Sequence, residues 1–254
     1  MCTVVILSRP GTPWPLLLAA NRDEMLARAW EPPAAHWPDR PGVVAGRDTL
    51  AGGSWLGVNR EGVVAAILNR RGSLGPAAGR RSRGELVLEA LDHADADAAA
   101  EALSHLEPQA YRSFNLVVAD NRTAFWLRNL GEEGRGLIER FPIPPGYSMI
   151  TAHDLNDRES QRIRENLPRF AAAPVPDPGR DEWSAWQALL ADRGPGGEEN
   201  SRESAMCVVT SRGFGTSSSS LIALPSRERP KVPPRWLFAA GRPGEAPSLP
   251  VVLR

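Results

Sequence analysis

Three pairs of apolar runs, each joined across a short stretch of turn formers, constrain this chain more than any other feature. Thr3–Leu7 and Leu16–Ala20 flank Ser8-Arg-Pro-Gly-Thr-Pro-Trp-Pro15, and Trp55–Val58 and Val63–Leu68 flank Asn59-Arg-Glu-Gly62. Asn115–Asp120 and Ala124–Arg128 flank Asn121-Arg-Thr123. β-Branched and aliphatic runs that meet across Pro, Gly and Asn fold back as hairpins. Met149–Ala152, Cys207–Thr210, Ser218–Leu224 and Trp236–Ala239 read as further strands.

Helical signals lie between them. Ser82-Arg-Gly-Glu85 has the spacing of a capping box directly before Leu86, Val87 and Leu88, which predicts helices over 84–92 and 95–106, the second opening at Asp95. Asp157 reads as the cap of a helix carrying Ile163 and Leu167, and Trp183–Leu190 as a further helix. Met25–Asp48, rich in Pro, Trp and Arg, reads as irregular surface chain, and Gly194–Glu199 as a mobile loop. Hairpins outnumber crossovers, so the pattern predicts an α+β fold of mainly antiparallel sheets with helices packed on them. No linker breaks the chain, and 1–254 reads as one domain.

Composition narrows the function. The 254 residues carry no net charge, and no basic run exceeds Arg80-Arg81-Ser82-Arg83, which argues against nucleic acid as a partner. No apolar stretch approaches the roughly 18 residues of a membrane span. Arg9-Pro-Gly11 interrupts the N-terminus too early for a signal peptide, so the expected address is the cytosol. Two cysteines suit a reducing compartment, and no Cys/His spacing resembles a metal site. No subunit interface is legible.

Cys2 stands where removal of Met1 would give it both a thiol and a free α-amine, a nucleophile and a base in one residue. The amine, with an ordinary pKa of about 7.7–8.0, is partly neutral near pH 7 and can take the thiol proton. The plainer reading is a small apolar residue opening a buried strand. In an antiparallel first hairpin, Ala20–Asp23 come opposite Thr3 and Cys2. The polar run Asn21-Arg-Asp-Glu24 then either builds a site around the chain start or forms a solvated turn with a Glu24–Arg28 surface pair. In the first case Arg22 favours the thiolate, Asp23 holds the α-amine, and Asn21 and Glu24 meet substrate.

Taken together, "MCTVVIL…LLLAANRDE", Gly52-Gly-Ser-Trp-Leu-Gly-Val-Asn59, Ser82-Arg-Gly-Glu-Leu-Val87, Ser113-Phe-Asn-Leu116 and Gly215-Thr-Ser-Ser-Ser219 resemble the Asn-Arg-Asp-Glu family, the transport-and-Golgi-organisation group. That family is similar to the N-terminal-nucleophile hydrolases of the cholylglycine hydrolase and penicillin V acylase group. The resemblance implies an αββα sandwich of two mainly antiparallel sheets between helix layers. It also implies a Cys2 hydrolase acting on a non-peptide C–N amide bond of a small or acyl-bearing substrate, with Asn69 as oxyanion donor. Two positions depart from the acylase pattern. His153-Asp154 stands near where those enzymes carry a second asparagine, and Ser217 stands where many family members have arginine. His153 and Ser217 join Asn21 and Glu24 as substrate-contact candidates, and His153 alternatively serves as acid, base or haem ligand. The resemblance carries a rival reading in which the scaffold binds or traffics haem or a lipid-like ligand without catalysis. On the hydrolase reading no cofactor is required. Trp30, Trp37 and Trp55 line an apolar pocket on one reading and are ordinary packing on the other.

Overall fold

A computed structural model describes residues 2–131, 136–194 and 203–253. The chain divides into two compact units, residues 1–28 with 145–251, and residues 29–144 with 252–254. Strands and helices are numbered along the chain.

The first unit holds one six-stranded antiparallel sheet. β1 (Thr3–Ser8), β2 (Leu16–Met25), β10 (Gly146–Ile150), β11 (Phe214–Leu224), β12 (Arg235–Ala239) and β13 (Ser248–Pro250) lie in the order β10-β1-β2-β11-β12-β13. Strand side chains alternate between faces. Val5 and Leu7 of β1, Leu17 and Ala19 of β2, and Leu221 and Ala223 of β11 therefore share one face. That face packs against α3 (Gln161–Ala172) and α4 (Ser184–Leu190) through Ile163, Phe170, Trp186 and Leu190. Because each of these residues is nearly fully buried, the sheet and its two helices carry a core of their own.

The second unit repeats the plan with seven strands. β3 (Trp30–Ala34), β4 (Val43–Asp48), β5 (Leu56–Asn59), β6 (Val64–Asn69), β7 (Phe114–Ala119), β8 (Ala124–Asn129) and β9 (Ile138–Pro142) pair antiparallel in chain order. α1 (Gly84–Ala90) and α2 (Ala96–Ser104) cover one face, with Leu86, Val87, Ala99 and Leu103 packed on Ala65, Leu116, Val118 and Leu127.

The three hairpins stand as the turn chemistry requires. Asn59 Oδ1 accepts from the Glu61 and Val63 amides, at 3.1 and 2.8 Å, and Asp120 Oδ1 does the same for Arg122 and Thr123, at 2.7 and 2.8 Å. Asp95 caps α2 by accepting from Ala98 N at 2.8 Å, as expected. Other expectations are corrected. Ser82 and Glu85 form no capping box, because the Glu85 carboxylate pairs with Arg81 at 2.7 Å and Ser82 Oγ accepts only from Gly84 N. The cap of α3 is Ser160, not Asp157, whose carboxylate closes its own turn on Glu159 N at 2.9 Å. β10 ends at Ile150, and β9 has no counterpart among the expected strands.

Residues 25–48 are not irregular, since they end β2 and contain β3 and β4. Pro32 and Pro33 are tolerated because β3 is an edge strand whose pairing shifts register between Glu31 and Ala34. The segment 207–210 makes no strand, only an isolated bridge between Val209 and Gly215. The expected loop at 194–199 lies outside the described residues beyond Gly194.

Three of the sequence motifs meet in the second unit. A side chain at Gly53 would fall 2.5 Å from the Gly84 carbonyl carbon, so only glycine lets these two backbones approach. Ser54 N donates to Gly84 O at 3.0 Å, and Arg83 donates to the carbonyls of Ser73 and Ser113, at 2.8 and 3.0 Å. The Gly-Gly-Ser-Trp and Ser-Arg-Gly-Glu segments and the residue that opens Ser-Phe-Asn-Leu thus form one backbone junction. No helix among the described residues is long and apolar enough to cross a membrane.

Candidate functional site

β2 does not stop at Ala20. It runs on to Met25 because β11 supplies hydrogen-bonding partners along its whole length, with Asn21 opposite Ser219, Arg22 opposite Ser218, Asp23 opposite Thr216 and Glu24 opposite Gly215. A bulge at Ser217 absorbs one extra residue. The Asn-Arg-Asp-Glu run is therefore strand, and the solvated-turn reading fails for its first three residues, which are 1%, 6% and 3% exposed. It holds in part for Glu24, which is half-buried and lies 3.8 Å from Arg28.

On the other side β1 pairs with β2, Thr3 opposite Asn21, which brings Cys2 beside this run as the hairpin register predicts. Cys2 Sγ donates to the Asp23 carbonyl at 3.5 Å. Burial, and then the negative charge of Asp23, push its thiol above the ordinary cysteine value. Such a thiol is neutral near pH 7 and needs a base before it can act as a nucleophile.

The alternation of β2 sends Asn21 and Asp23 toward the helices and Arg22 to the opposite face. Asp23 is wholly engaged there. Its Oδ2 accepts from Arg162 Nη1 of α3 at 3.1 Å, and its Oδ1 accepts from Thr216 Oγ1 at 2.6 Å. The same Arg162 nitrogen donates to Thr3 Oγ1 at 2.8 Å, so one guanidinium ties the residue after Cys2 to the acid across from it. Neither charge meets water, with the Arg162 side chain 2% exposed and that of Asp23 0%. On the opposite face Arg22 donates to Ser217 Oγ at 3.1 Å, and Ser217 Oγ donates back to the Arg22 carbonyl at 3.2 Å.

Asn21 does structural work. Its amide donates to the carbonyls of Leu190 and Met206, both at 2.9 Å. It thereby ties the end of α4 to the buried segment Ser204–Val208. Asn166 holds the same segment at the Ser204 carbonyl at 2.8 Å, and Thr216 Oγ1 accepts from Val208 N at 2.7 Å. Within 207–210 the Cys207 amide donates to the Asp192 carbonyl at 2.8 Å and the Val208 amide to the Thr216 hydroxyl, so these groups are satisfied outside any regular ladder. Cys207 sits within it, 1% exposed, as a core residue.

Thr216 links this segment to Asp23, and Thr216→Val keeps the shape while deleting both bonds. The variant is expected to lose about 1–3 kcal/mol of stability, read as a lower urea midpoint at unchanged slope, because Val208 N–H and Asp23 Oδ1 each lose a buried partner.

The β10 register, Ile150 opposite Val4, carries the chain after β10 toward the start of β1. His153 follows β10 in the first unit, with Nδ1 3.3 Å from Asp157 Oδ2. Asn69 closes β6 in the second unit, opposite Phe114 and half-buried. Trp30 and Trp55 meet edge to face at 5.6 Å, and the Trp55 ring lies so close to Gly46 that a Cβ there would fall 2.3 Å from it, so Trp55 is packed on backbone. Among the described residues no cluster of three His, Cys, Asp or Glu side chains is placed to hold a metal ion.

Arg162 carries no mark in the sequence. α3 buries Arg162, Ile163, Asn166 and Phe170, a stripe whose i, i+4 polar pair is legible only if Ile163 and Phe170 are taken as its apolar edges. Nothing local distinguishes Arg162 among the arginines of that helix, because its acid is 139 residues away in sequence.

A family model described as Transport and Golgi organisation 2 matches residues 1–232. The chain belongs to the Transport and Golgi organisation 2 family. Curated members of the Transport and Golgi organisation 2 family align over part of it, the Bos taurus homolog at 39% identity over 115 residues and the Homo sapiens homolog at 38% over 119. These alignments cover 41% and 43% of this chain but only 38% and 40% of the relatives, so it spans about two fifths of their length.

Solved structures agree on the fold of this Transport and Golgi organisation 2 family member. A penicillin V acylase from Agrobacterium tumefaciens superposes with a TM-score of 0.58 at 12% identity, covering 94% of this chain and 83% of its own. The C2A mutant of a conjugated bile acid hydrolase from Clostridium perfringens gives 0.55 at 12% identity, over 99% and 92%. The fold is thus the mixed α+β sandwich of the N-terminal-nucleophile hydrolases, as the motifs implied.

Proposed function

We propose that this protein is a cysteine N-terminal-nucleophile hydrolase that cleaves a non-peptide C–N amide bond of a small or acyl-bearing substrate. The observation that carries the reading is the seat of Cys2. It lies at the start of β1 against the Asp23 carbonyl, with Asp23 fixed by Arg162 and Thr216 and with Thr3 fixed by the same arginine. Likeness in fold to acylases and a bile acid hydrolase supports it. The proposal takes 1–254 as one working domain and places it in the cytosol, where its free cysteines Cys2 and Cys207 stay reduced.

The chemistry follows from a thiol held neutral. Removal of whatever precedes Cys2 frees its α-amine, which takes the thiol proton. The thiolate attacks the amide carbon, and the carbonyl oxygen gains charge as the tetrahedral intermediate forms. The C–N bond breaks, the amine leaves with the proton held by the α-amine, and a thioester remains on Cys2. Water, deprotonated by the same amine, then cleaves the thioester and restores the thiol. Asp23 keeps the chain start in place, and Arg22 adds positive charge beside the thiolate.

A panel of N-acyl amides of graded chain length tests the reading with purified protein whose N-terminus has been sequenced. Turnover that requires a free Cys2 amine is the expected result. The contrary result is a protein inert toward every amide that instead shifts the Soret band of haem at micromolar concentration, with the shift lost in His153→Ala.

A further inference from the structure

At the end of β1 remote from Cys2, the turn into β2 forms one wall of a groove of about 590 Å3. That size falls among small-ligand sites, which run from roughly 300 to 1,000 Å3. Pro13, Trp14, Val175 and Pro176 give it an apolar surface, and two guanidinium groups, those of Arg9 and Arg229, border it. Both are anchored to the turn between β1 and β2. Arg9 Nη2 donates to the Trp14 carbonyl and Arg229 Nη1 to the Pro13 carbonyl, each at 3.4 Å, while the Arg229 guanidinium carbon stands 5.2 Å from the centre of the Trp14 ring.

Arg40 faces Asp92 and Arg140 faces Asp97 at the described surface. Arg9 and Arg229 face none among the described residues. Asp177, the one acid bordering the groove among the described residues, has its carboxylate engaged by Gly179 N at 3.0 Å and by Arg180 at 3.6 Å. Arg9 Nε is buried with no hydrogen-bond partner, and burial pushes this guanidinium below its ordinary value. Two guanidinium groups on one groove give it a positive border, which an anion offsets. The apolar walls favour an anion that carries an apolar body over a bare inorganic ion.

We propose that this groove is a binding site for a small organic carboxylate, its carboxylate held by Arg9 and Arg229 and its apolar body laid on Pro13, Val175 and Pro176. The site is separate from Cys2 and stands or falls independently of the hydrolase reading. Sodium octanoate is the probe, titrated calorimetrically into the full chain. The expected result is saturable binding, at least about tenfold weaker for octanamide and at least about tenfold weaker in Arg229→Met, which keeps the apolar stem and removes the charge. Phenylglyoxal modification of the unaltered protein, mapped by peptide mass, gives a second readout that needs no variant, with octanoate expected to protect Arg9 and Arg229. Absence of octanoate binding, equal affinity for octanamide, an unchanged Arg229→Met variant or unprotected arginines would each overturn the proposal. So would binding to phosphatidylglycerol vesicles without binding to free octanoate, which would place the anion on a lipid surface.

Discussion

Cys2→Ala is expected to lower kcat/KM toward an N-acyl amide by at least about 10^4-fold, almost all of it in kcat. The size follows from the division of labour proposed for the site. The thiolate alone forms the bond to carbon, so what survives its loss is only the binding of substrate and the stabilisation of the oxyanion. Stability should hardly change. The sulfur of Cys2 makes one long contact, 3.5 Å to a carbonyl, at a partly exposed position. A melting temperature near that of the unaltered protein would separate lost chemistry from lost fold. Cys2→Ser should retain a small fraction of the activity, because a hydroxyl is a weaker nucleophile for the same amine base. A loss below tenfold in Cys2→Ala would remove Cys2 from the reaction.

Arg162→Met should show the opposite pattern, a large loss of stability of about 3–5 kcal/mol. Asp23 and Arg162 are both almost sealed from water, so removing the cation leaves a buried carboxylate with the Thr216 hydroxyl still donating to it. The gross attraction of the pair is not the measure here, since burying both charges offsets much of it. The loss of the arginine's charge and hydrogen bonds at a site closed to water sets the cost. For a protein of this size the melting temperature falls by roughly 2–4 °C per kcal/mol. The double variant Arg162→Met with Asp23→Asn tests the mechanism. It should be less destabilised than the sum of the two single variants, because the two side chains interact directly and neutralising Asp23 removes the charge that Arg162 faces. Additive losses would mean that the two side chains do not act as a pair.

What the sequence discloses, and what it hides, divide by the range of the interactions. Asn59 and Asp120 close their turns with their own side chains, so those hairpins are legible from a few residues. The first hairpin is legible too, and its register alone is enough to set Cys2 beside Arg22 and Asp23. β3 is hidden by Pro32 and Pro33, which are acceptable only on an edge strand, and edge position is a property of the whole sheet. The segment 207–210 carries the composition of a strand, yet distant Asn21, Asn166 and Thr216 organise the chain around it. The motif residue Asn21 reads as a substrate contact in sequence, and in the structure its amide nitrogen donates to two carbonyls far away along the chain. Arg162 is invisible for the same reason. A buried acid needs a cation, but only the packing of α3 on the sheet selects which arginine supplies it.

The central claim is that Cys2, freed at its amine, takes an acyl group from an amide. Peptide mass mapping after brief incubation with a reactive N-acyl amide, quenched in acid, tests this most directly. The account predicts a chain that begins at Cys2 and carries the acyl mass as a thioester on that residue, with Cys207 unmodified. A chain in which another residue still precedes Cys2, with no acyl mass on its thiol under conditions where the amide is consumed, would contradict it.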